Sequence, residues 1–459
     1  MSKLNDKIVR EYDIRGIFGI ELFAENAYDL GLALGLKALN NDSNTVNVGY
    51  DGRNSSPIIV DNLIKGIKNS GCNINNIGLV PSPMLYFSVY HLEVDYGIMV
   101  TASHNPKEYN GFKIISKKEN FYGQDLKKFA KFVNEEKSYN LDSIVTNKEK
   151  IIESSYLNKL LAELADLDFA DLKIAWDPAC GASAEIINKL INNLPNKNFI
   201  INNKIDGDFP AHAPDPTVEE NLSQLKQLVK ENSCDIGLAF DGDGDRVGVI
   251  DDEGEVIWGD QLITIFAKDV LASLPGSTII TDIKASSVFK AKIEELGGRP
   301  LIWKTGHSLI KAKMKEEASP LAGEMSGHVF FADRNNNGYD DGLYAAIRLI
   351  YILVKYKLKL SDYRKSLPKT YTTKEEKVAT TDEHKFKIID KIKIKLQQEN
   401  LNFSAIDGVR RDESNGWWLI RASNTSPYLT TRCEARSELE LKVFKDKINQ
   451  YILNAKAEL

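Results

Sequence analysis

The sequence predicts an α/β protein, with three tandem doubly wound α/β domains followed by a smaller α+β domain. Three observations lead there. The chain has 459 residues, too long for one hydrophobic core at roughly 100–200 residues per domain. Strand-like apolar runs alternate with amphipathic stretches three times over, which is the pattern of sheets covered by helices. After about residue 370 this gives way to short strands between two long amphipathic helices.

In chain order, the first unit reads as strand 45–50 (TVNVGY), helix 56–71, strand 73–79 (NINNIGL), helix 83–92 and strand 96–102 (YGIMVTA). A polar Lys/Asn/Ser-rich passage at about 135–155 separates it from a second run. That run has strand 172–177 (LKIAWD), helix 183–194, strand 198–202, helix 218–232 and strand 235–240 (DIGLAF). A third follows the turn at 251–254, with helix 261–274, strand 277–283, helix 287–298, strand 300–305, helix 308–318 and strand 321–325. The fourth part has helix 384–400, three strands in SAIDGVRR, WWLIRA and YLTTRCEA joined by turns, and a final helix. The domains are expected at 1–150, 151–254, 255–368 and 369–459.

Composition narrows the function. Hydrophobic residues make up 42% and charged residues 27%, as in an ordinary globular protein. Lys+Arg 59 against Asp+Glu 65 leaves a formal charge of −6, so no global positive field attracts nucleic acid or an anionic membrane. Any anionic ligand must be held by local positive charge. Cys72, Cys180, Cys234 and Cys433 form no Cys-x-x-Cys pair, which argues against zinc or a disulfide framework and for a reduced cytosol. With no secretory-type start and no run of ~18 apolar residues, a soluble cytoplasmic protein is expected.

In open α/β sheets, ligands collect at the carboxyl ends of strands. Three loops there are rich in polar groups: 101–106 (TASHNP), 241–246 (DGDGDR) and 323–328 (GEMSGH). Asp241, Asp243 and Asp245 at i, i+2 and i+4 suit one hard cation, with room left for an anionic ligand, as for Mg²⁺ bound partly by phosphate. An EF-hand is excluded by Arg246 in place of glycine and by flanking strands. The competing reading is a plain Asp-Gly hairpin turn. Ser103 next to His104 invites a hydrolase reading, but adjacent side chains usually point apart and no Gly-x-Ser-x-Gly elbow is present. Beside metal and cations, Ser103 is better suited to carry a phosphoryl group; otherwise it is a helix cap or turn residue. Arg15, Lys113, Arg246, Lys284, and Lys304 with His307, recur in similarly placed loops, each alone a solvated surface charge. Residues 421–427 (RASNTSP) offer an arginine fork, hydroxyls, an amide and loop N–H groups, the inventory for a phosphate dianion, or else a Ser/Asn/Pro turn.

In this order the loops closely resemble the α-D-phosphohexomutase superfamily, within it the bacterial phosphomannomutase/phosphoglucomutase group. The likeness spans nearly the whole chain through REYDIRG at 10–16, DGR at 51–53, TASHNP, NGFKI at 110–114, DGDFPAHAPDPTVEENL at 206–222, DGDGDR, WKTGH, GEMSGH and RASNTSP. It implies three α/β domains and a C-terminal phosphate-binding domain around a central cleft. It also implies a phosphoserine at Ser103, which with Asp241, Asp243 and Asp245 would hold Mg²⁺. Arg15, Lys113, His104, Arg246 and His328 are then the candidates for proton transfer or electrostatic support. Glu324 and Ser326 would read sugar hydroxyls, with Tyr12, Lys284, Lys304 and His307 also on the substrate. Arg421, Ser423, Asn424 and Thr425 would hold its phosphate. The implied reaction interconverts mannose or glucose 1- and 6-phosphates through a hexose 1,6-bisphosphate, in an enzyme expected to be a monomer.

Phosphoglucosamine mutases usually read GEQSGH and DGDADR, so Met325 and Gly244 favour the hexose enzymes over that alternative. A non-catalytic phosphosugar-binding protein would not need Ser103 together with three metal-type aspartates. Cys180 stands where relatives often carry Asn, in a stretch expected to lie away from the motif loops.

Overall fold

The computed structural model describes residues 4–135, 145–423 and 427–459. The chain forms two compact units, Met1–Gly259 with Ser326–Ser361, and Asp260–Met325 with Asp362–Leu459.

The first unit carries two sheets. In one, strands Tyr96–Val100, Thr45–Tyr50, Asn73–Leu79 and Asn147–Glu149 run parallel, while Tyr109–Ser116 and Ile14–Ile17 add an antiparallel edge. In the other, Lys197–Ile200, Lys173–Asp177 and Ile236–Phe240 are parallel, and Val247–Asp251 and Val256–Ile257 are antiparallel. Both sheets are thus mixed, where strand–helix alternation alone suggests parallel ones. The reason is loop length: connections 101–108 and 241–246 are shorter than the roughly dozen residues of a parallel crossover, so the chain must turn straight back.

Helix Ser56–Asn69 starts with proline in its first turn and buries Ile59, Val60, Leu63, Ile64 and Ile67, the i, i+4 stripe of a helix lying on a sheet. Its partner Ala24–Asn40, bearing Leu30, Ala33, Leu34 and Ala38, completes the core above Val46, Val48, Ile98 and Val100. Helix Gly342–Tyr356, buried along most of its length, is capped by Asp341, whose carboxylate accepts from Tyr344 N at 2.9 Å.

In the second unit, Arg299–Trp303, Thr278–Asp282 and Leu321–Gly323 pair parallel. The C-terminal sheet is antiparallel, built from Val409–Glu413, Gly416–Ala422, Tyr428–Ala435 and the short Tyr371–Thr372 and Glu376–Ala379. Helices His384–Gln398 and Glu438–Ala457 bury Ile388, Ile392, Phe444 and Ile448 against Trp418, Ile420 and Leu429 of that sheet. Among the described residues, no helix is long and apolar enough to cross a membrane.

Candidate active site

Two turns meet in the first unit. Residues 101–108 leave the end of strand Tyr96–Val100, and residues 241–246 join Ile236–Phe240 to Val247–Asp251 as a hairpin. The Asp loop is therefore a hairpin turn in shape. Gly242 allows the meeting, because a Cβ there would lie 2.5 Å from the Ser103 carbonyl oxygen. Gly244 has φ +74°, a left-handed turn suited to glycine.

Ser103 is buried and left-handed too, at φ +52°. Its N–H donates to Thr101 Oγ1 at 2.9 Å, and Thr101 Oγ1 donates to Asp51 Oδ2 at 2.7 Å. Its Oγ donates to Asp241 Oδ2 at 2.9 Å and lies 3.1 Å from His104 Nδ1. The expectation that Ser103 and His104 point apart is thus wrong, because the left-handed backbone at Ser103 swings neighbouring side chains to one side. Arg53, in a role the sequence did not suggest, donates to the carbonyl oxygens of Ser103, Asn105, Pro106 and Tyr109 and, through Nε, to Asp51. Arg15 joins the same loop by donating to Asn105 Oδ1 at 2.6 Å and pairing with Asp13, and Tyr12, three residues earlier, is half-buried.

Asp241, Asp243 and Asp245 are fully buried and present oxygens within 4.8 Å of one another. Lys113 donates to Asp243 Oδ2 at 2.7 Å and to Asp245 Oδ2. Asp243 Oδ1 and Asp245 Oδ1 find no hydrogen-bond partner among the described residues. Buried carboxylate oxygens left over in an all-oxygen set fit a hard divalent cation such as Mg²⁺. Burial, then Asp245 and Asp243, push Asp241 well above the usual carboxylate range. Burial opposes the charge on Lys113, but Asp243 and Asp245 outweigh it and hold the ammonium well above its ordinary value. Burial, followed by Arg246, Arg15 and Lys113, holds His104 well below the usual histidine range, so its ring is neutral near pH 7. Arg246 Nε donates to His328 Nε2 at 3.0 Å and lies 3.6 Å from Asp241 Oδ2.

Cys180 does not lie away from the motif loops. Its turn packs on the Asp hairpin, with Ala182 N donating to Gly242 O at 2.9 Å, and Ala179 and Cys180 are left-handed at φ +51° and +57°. Asn tolerates that conformation better than most residues, which gives the Cys/Asn difference a backbone meaning.

The second unit gathers other predicted residues. Arg421 is held by Asp407, whose Oδ2 accepts from Arg421 Nε and from Thr305 N, both at 3.1 Å. Glu324 Oε1 accepts from Gly306 N at 2.6 Å, so Asp407 and Glu324 both tie down the loop before His307. Lys284, buried, pairs with Glu375 at 3.2 Å. His307 is half-buried and Lys304 exposed, while Ser423 is buried, with its N–H donating to Tyr428 O at 3.0 Å. Asn424 and Thr425 lie outside the described residues. Ser326, half-buried, falls in the first unit. Asp407 and Glu375 escaped sequence reading, since a lone acid beside a turn carries no signal.

Family models for phosphoglucomutase/phosphomannomutase match the chain in four pieces: α/β/α domain I at residues 6–140, domain II at 154–254, domain III at 258–371 and the C-terminal domain at 375–450. The chain belongs to the phosphoglucomutase/phosphomannomutase family. A phosphomannomutase/phosphoglucomutase of Pseudomonas putida is 43% identical over 100% of this chain and 98% of its own length. A phosphoglucomutase of Neisseria meningitidis is 35% identical, covering 98% of each. The crystal structure of a family protein from Burkholderia thailandensis superimposes with a TM-score of 0.90 at 34% identity, over 99% of this chain and 98% of that one. These relatives do not favour the phosphoglucosamine mutase alternative.

Proposed function

We propose that this phosphohexomutase interconverts the 1- and 6-phosphates of mannose, glucose or both through a phosphoserine at Ser103. The observation that carries the reading is the Ser103 hydroxyl 2.9 Å from Asp241, beside a trio of buried aspartates with oxygens to spare. In the first half-reaction the bond from phosphorus to Ser103 Oγ breaks and a bond to the free sugar hydroxyl forms, giving a hexose 1,6-bisphosphate. That molecule turns round, and its other phosphate returns to Ser103. Phosphoryl transfer asks for alignment and charge neutralisation more than covalent help. When bound by Asp241, Asp243, Asp245 and the Ser103 phosphoryl group, Mg²⁺ supplies part of that neutralisation.

The chain's own groups do the rest. Lys113, locked as an ammonium between two carboxylates, and Arg246 balance phosphoryl charge, with Arg15 bonded to Asn105 of the Ser103 loop. His104, neutral and next to Ser103, is suited to take up the proton that the attacking hydroxyl gives up and to pass it to Ser103 Oγ as that oxygen leaves phosphorus. By resemblance to the family, Glu324, Ser326, Lys284, Lys304, His307 and Tyr12 are assigned to the sugar, and Arg421, Ser423, Asn424 and Thr425 to the phosphate that is not moving.

Intact-mass measurement of the purified protein tests this. A fraction one phosphate heavier is expected, absent in Ser103→Ala, which should lose nearly all turnover while still binding substrate. Full activity of Ser103→Ala, with no phosphate elsewhere on the chain, would sink the mechanism.

A further inference from the structure

The His328 ring joins the aspartate hairpin to a carboxylate without an assigned role. His328 Nε2 accepts from Arg246 Nε at 3.0 Å. A ring nitrogen that accepts cannot carry hydrogen, so the ring proton sits on Nδ1. Two carboxylates face Nδ1, Asp340 Oδ2 at 3.3 Å and Asp245 Oδ1 at 3.6 Å. Asp340 is the nearer, and the 3.3 Å contact falls outside hydrogen-bond geometry, so it acts through electrostatic attraction alone. Asp245 belongs to the cation-holding trio, and its other oxygen is engaged by Lys113.

The frame around this line is rigid. Arg246 and His328 face each other in a backbone bridge, as do Phe330 and Asp340, and the Phe330 ring stacks on His328 with centroids 6.1 Å apart. Val247 N donates to Gly327 O at 3.1 Å, and Gly342 N to Gly244 O at 3.2 Å. Asp341, next in sequence, caps helix Gly342–Tyr356 and accepts from the Tyr156 hydroxyl at 2.8 Å. Asp340 thus stands on a fixed support, fully buried, 0% exposed.

We infer that Asp340 is a positioning residue for phosphoryl transfer, which keeps the His328 proton on Nδ1 so that Nε2 receives Arg246 and fixes the guanidinium beside Asp241. Without the carboxylate the ring has less reason to keep its proton on that side. A proton on Nε2 would face the Arg246 N–H, donor against donor, and turn the guanidinium away. Carboxylates that orient a metal-binding histidine from behind are typically worth tenfold to a hundredfold in activity, and a loss of that order is expected here. The inference rests on the mutase reading only for its kinetic part, since the tautomer is a property of the protein itself.

The test uses the full chain with ¹⁵N-labelled histidine. Long-range ¹H–¹⁵N correlation spectra are recorded, with His328 assigned by the signal lost in His328→Gln. Wild type should show Nδ1 protonated and Nε2 bare. In Asp340→Asn the His328 signals should shift towards the Nε2–H form, and kcat should fall about tenfold to a hundredfold with KM changed less than about threefold. Asp340→Glu should recover part of kcat. A wild-type proton on Nε2, alone or with one on Nδ1, overturns the inference, even if Asp340→Asn does not fold. So does a folded Asp340→Asn whose tautomer or kcat is unchanged. An active Ser103→Ala with His328 still protonated on Nδ1 would instead refute the mutase mechanism and leave the tautomer assignment standing.

Discussion

Replacing Arg53 by lysine keeps the charge and removes the fork. The guanidinium, 1% exposed, makes five directed hydrogen bonds, four to carbonyl oxygens of the Ser103 loop and one to Asp51. An ammonium has three protons on one nitrogen and cannot span acceptors that are spread along the loop. At least two of the five acceptors must lose their donor in a site closed to water. At about 1–3 kcal/mol for each buried group left unsatisfied, Arg53→Lys should cost about 2–6 kcal/mol. A domain of this size loses roughly 2–4 °C of melting temperature per kcal/mol, so calorimetry should show a fall on the order of 10 °C. Because the Ser103 carbonyl is among the four, kcat should drop more than KM rises. An Arg53→Lys protein that melts within about 1 °C of wild type and keeps its kcat would refute the argument that this arginine holds the loop.

Chelation by EDTA, or Asp243→Asn, should lower kcat far more than it raises KM, since the cation is expected against the group in transit; an unchanged rate after chelation would leave the aspartate loop as a hairpin turn alone. Arg421→Ala should raise KM roughly ten- to a hundredfold, the loss of a charge-assisted contact worth about 1.5–3 kcal/mol. It should do so equally for 1- and 6-phosphates, and impairment with only one would point to separate phosphate sites. His212 pairs with Asp177 at 2.9 Å; burial pulls its pKa down, but Asp177 outweighs burial and raises it above 6.5. The pair therefore adds stability that is full below about pH 6.5 and fades as pH rises through the higher folded value. His212→Gln should melt well below wild type at acid pH, with the gap narrowing by pH 9, and a constant gap would contradict the ion pair.

The three aspartates were legible because alternation at i, i+2 and i+4 along one turn is local information, as is the strand–helix rhythm of each α/β run. What sequence could not show is where distant segments meet. Arg53 reaches carbonyl groups some fifty residues on, Asp340 touches His328 across a turn, and Asp407 holds Arg421 from a neighbouring strand end. The Ser103–His104 contact stayed hidden because it depends on a left-handed φ that a serine rarely adopts. The strands Tyr371–Thr372 and Glu376–Ala379 are short and mostly exposed, with no apolar alternation to betray them.

A left-handed serine has a consequence for anyone engineering this enzyme. At φ +52° the residue at 103 sits where glycine is at ease and a side chain costs about 1–2 kcal/mol. Judged by backbone comfort alone, the best residue for the position is the one with no hydroxyl. Ser103→Gly would relieve that backbone cost but leave Asp241 Oδ2 without its hydroxyl donor, and under the proposed mechanism it would remove the phosphoryl carrier. Any stabilisation campaign on this scaffold has to select for turnover at the same time, because the proposed phosphoryl carrier sits in a backbone conformation that favours its replacement.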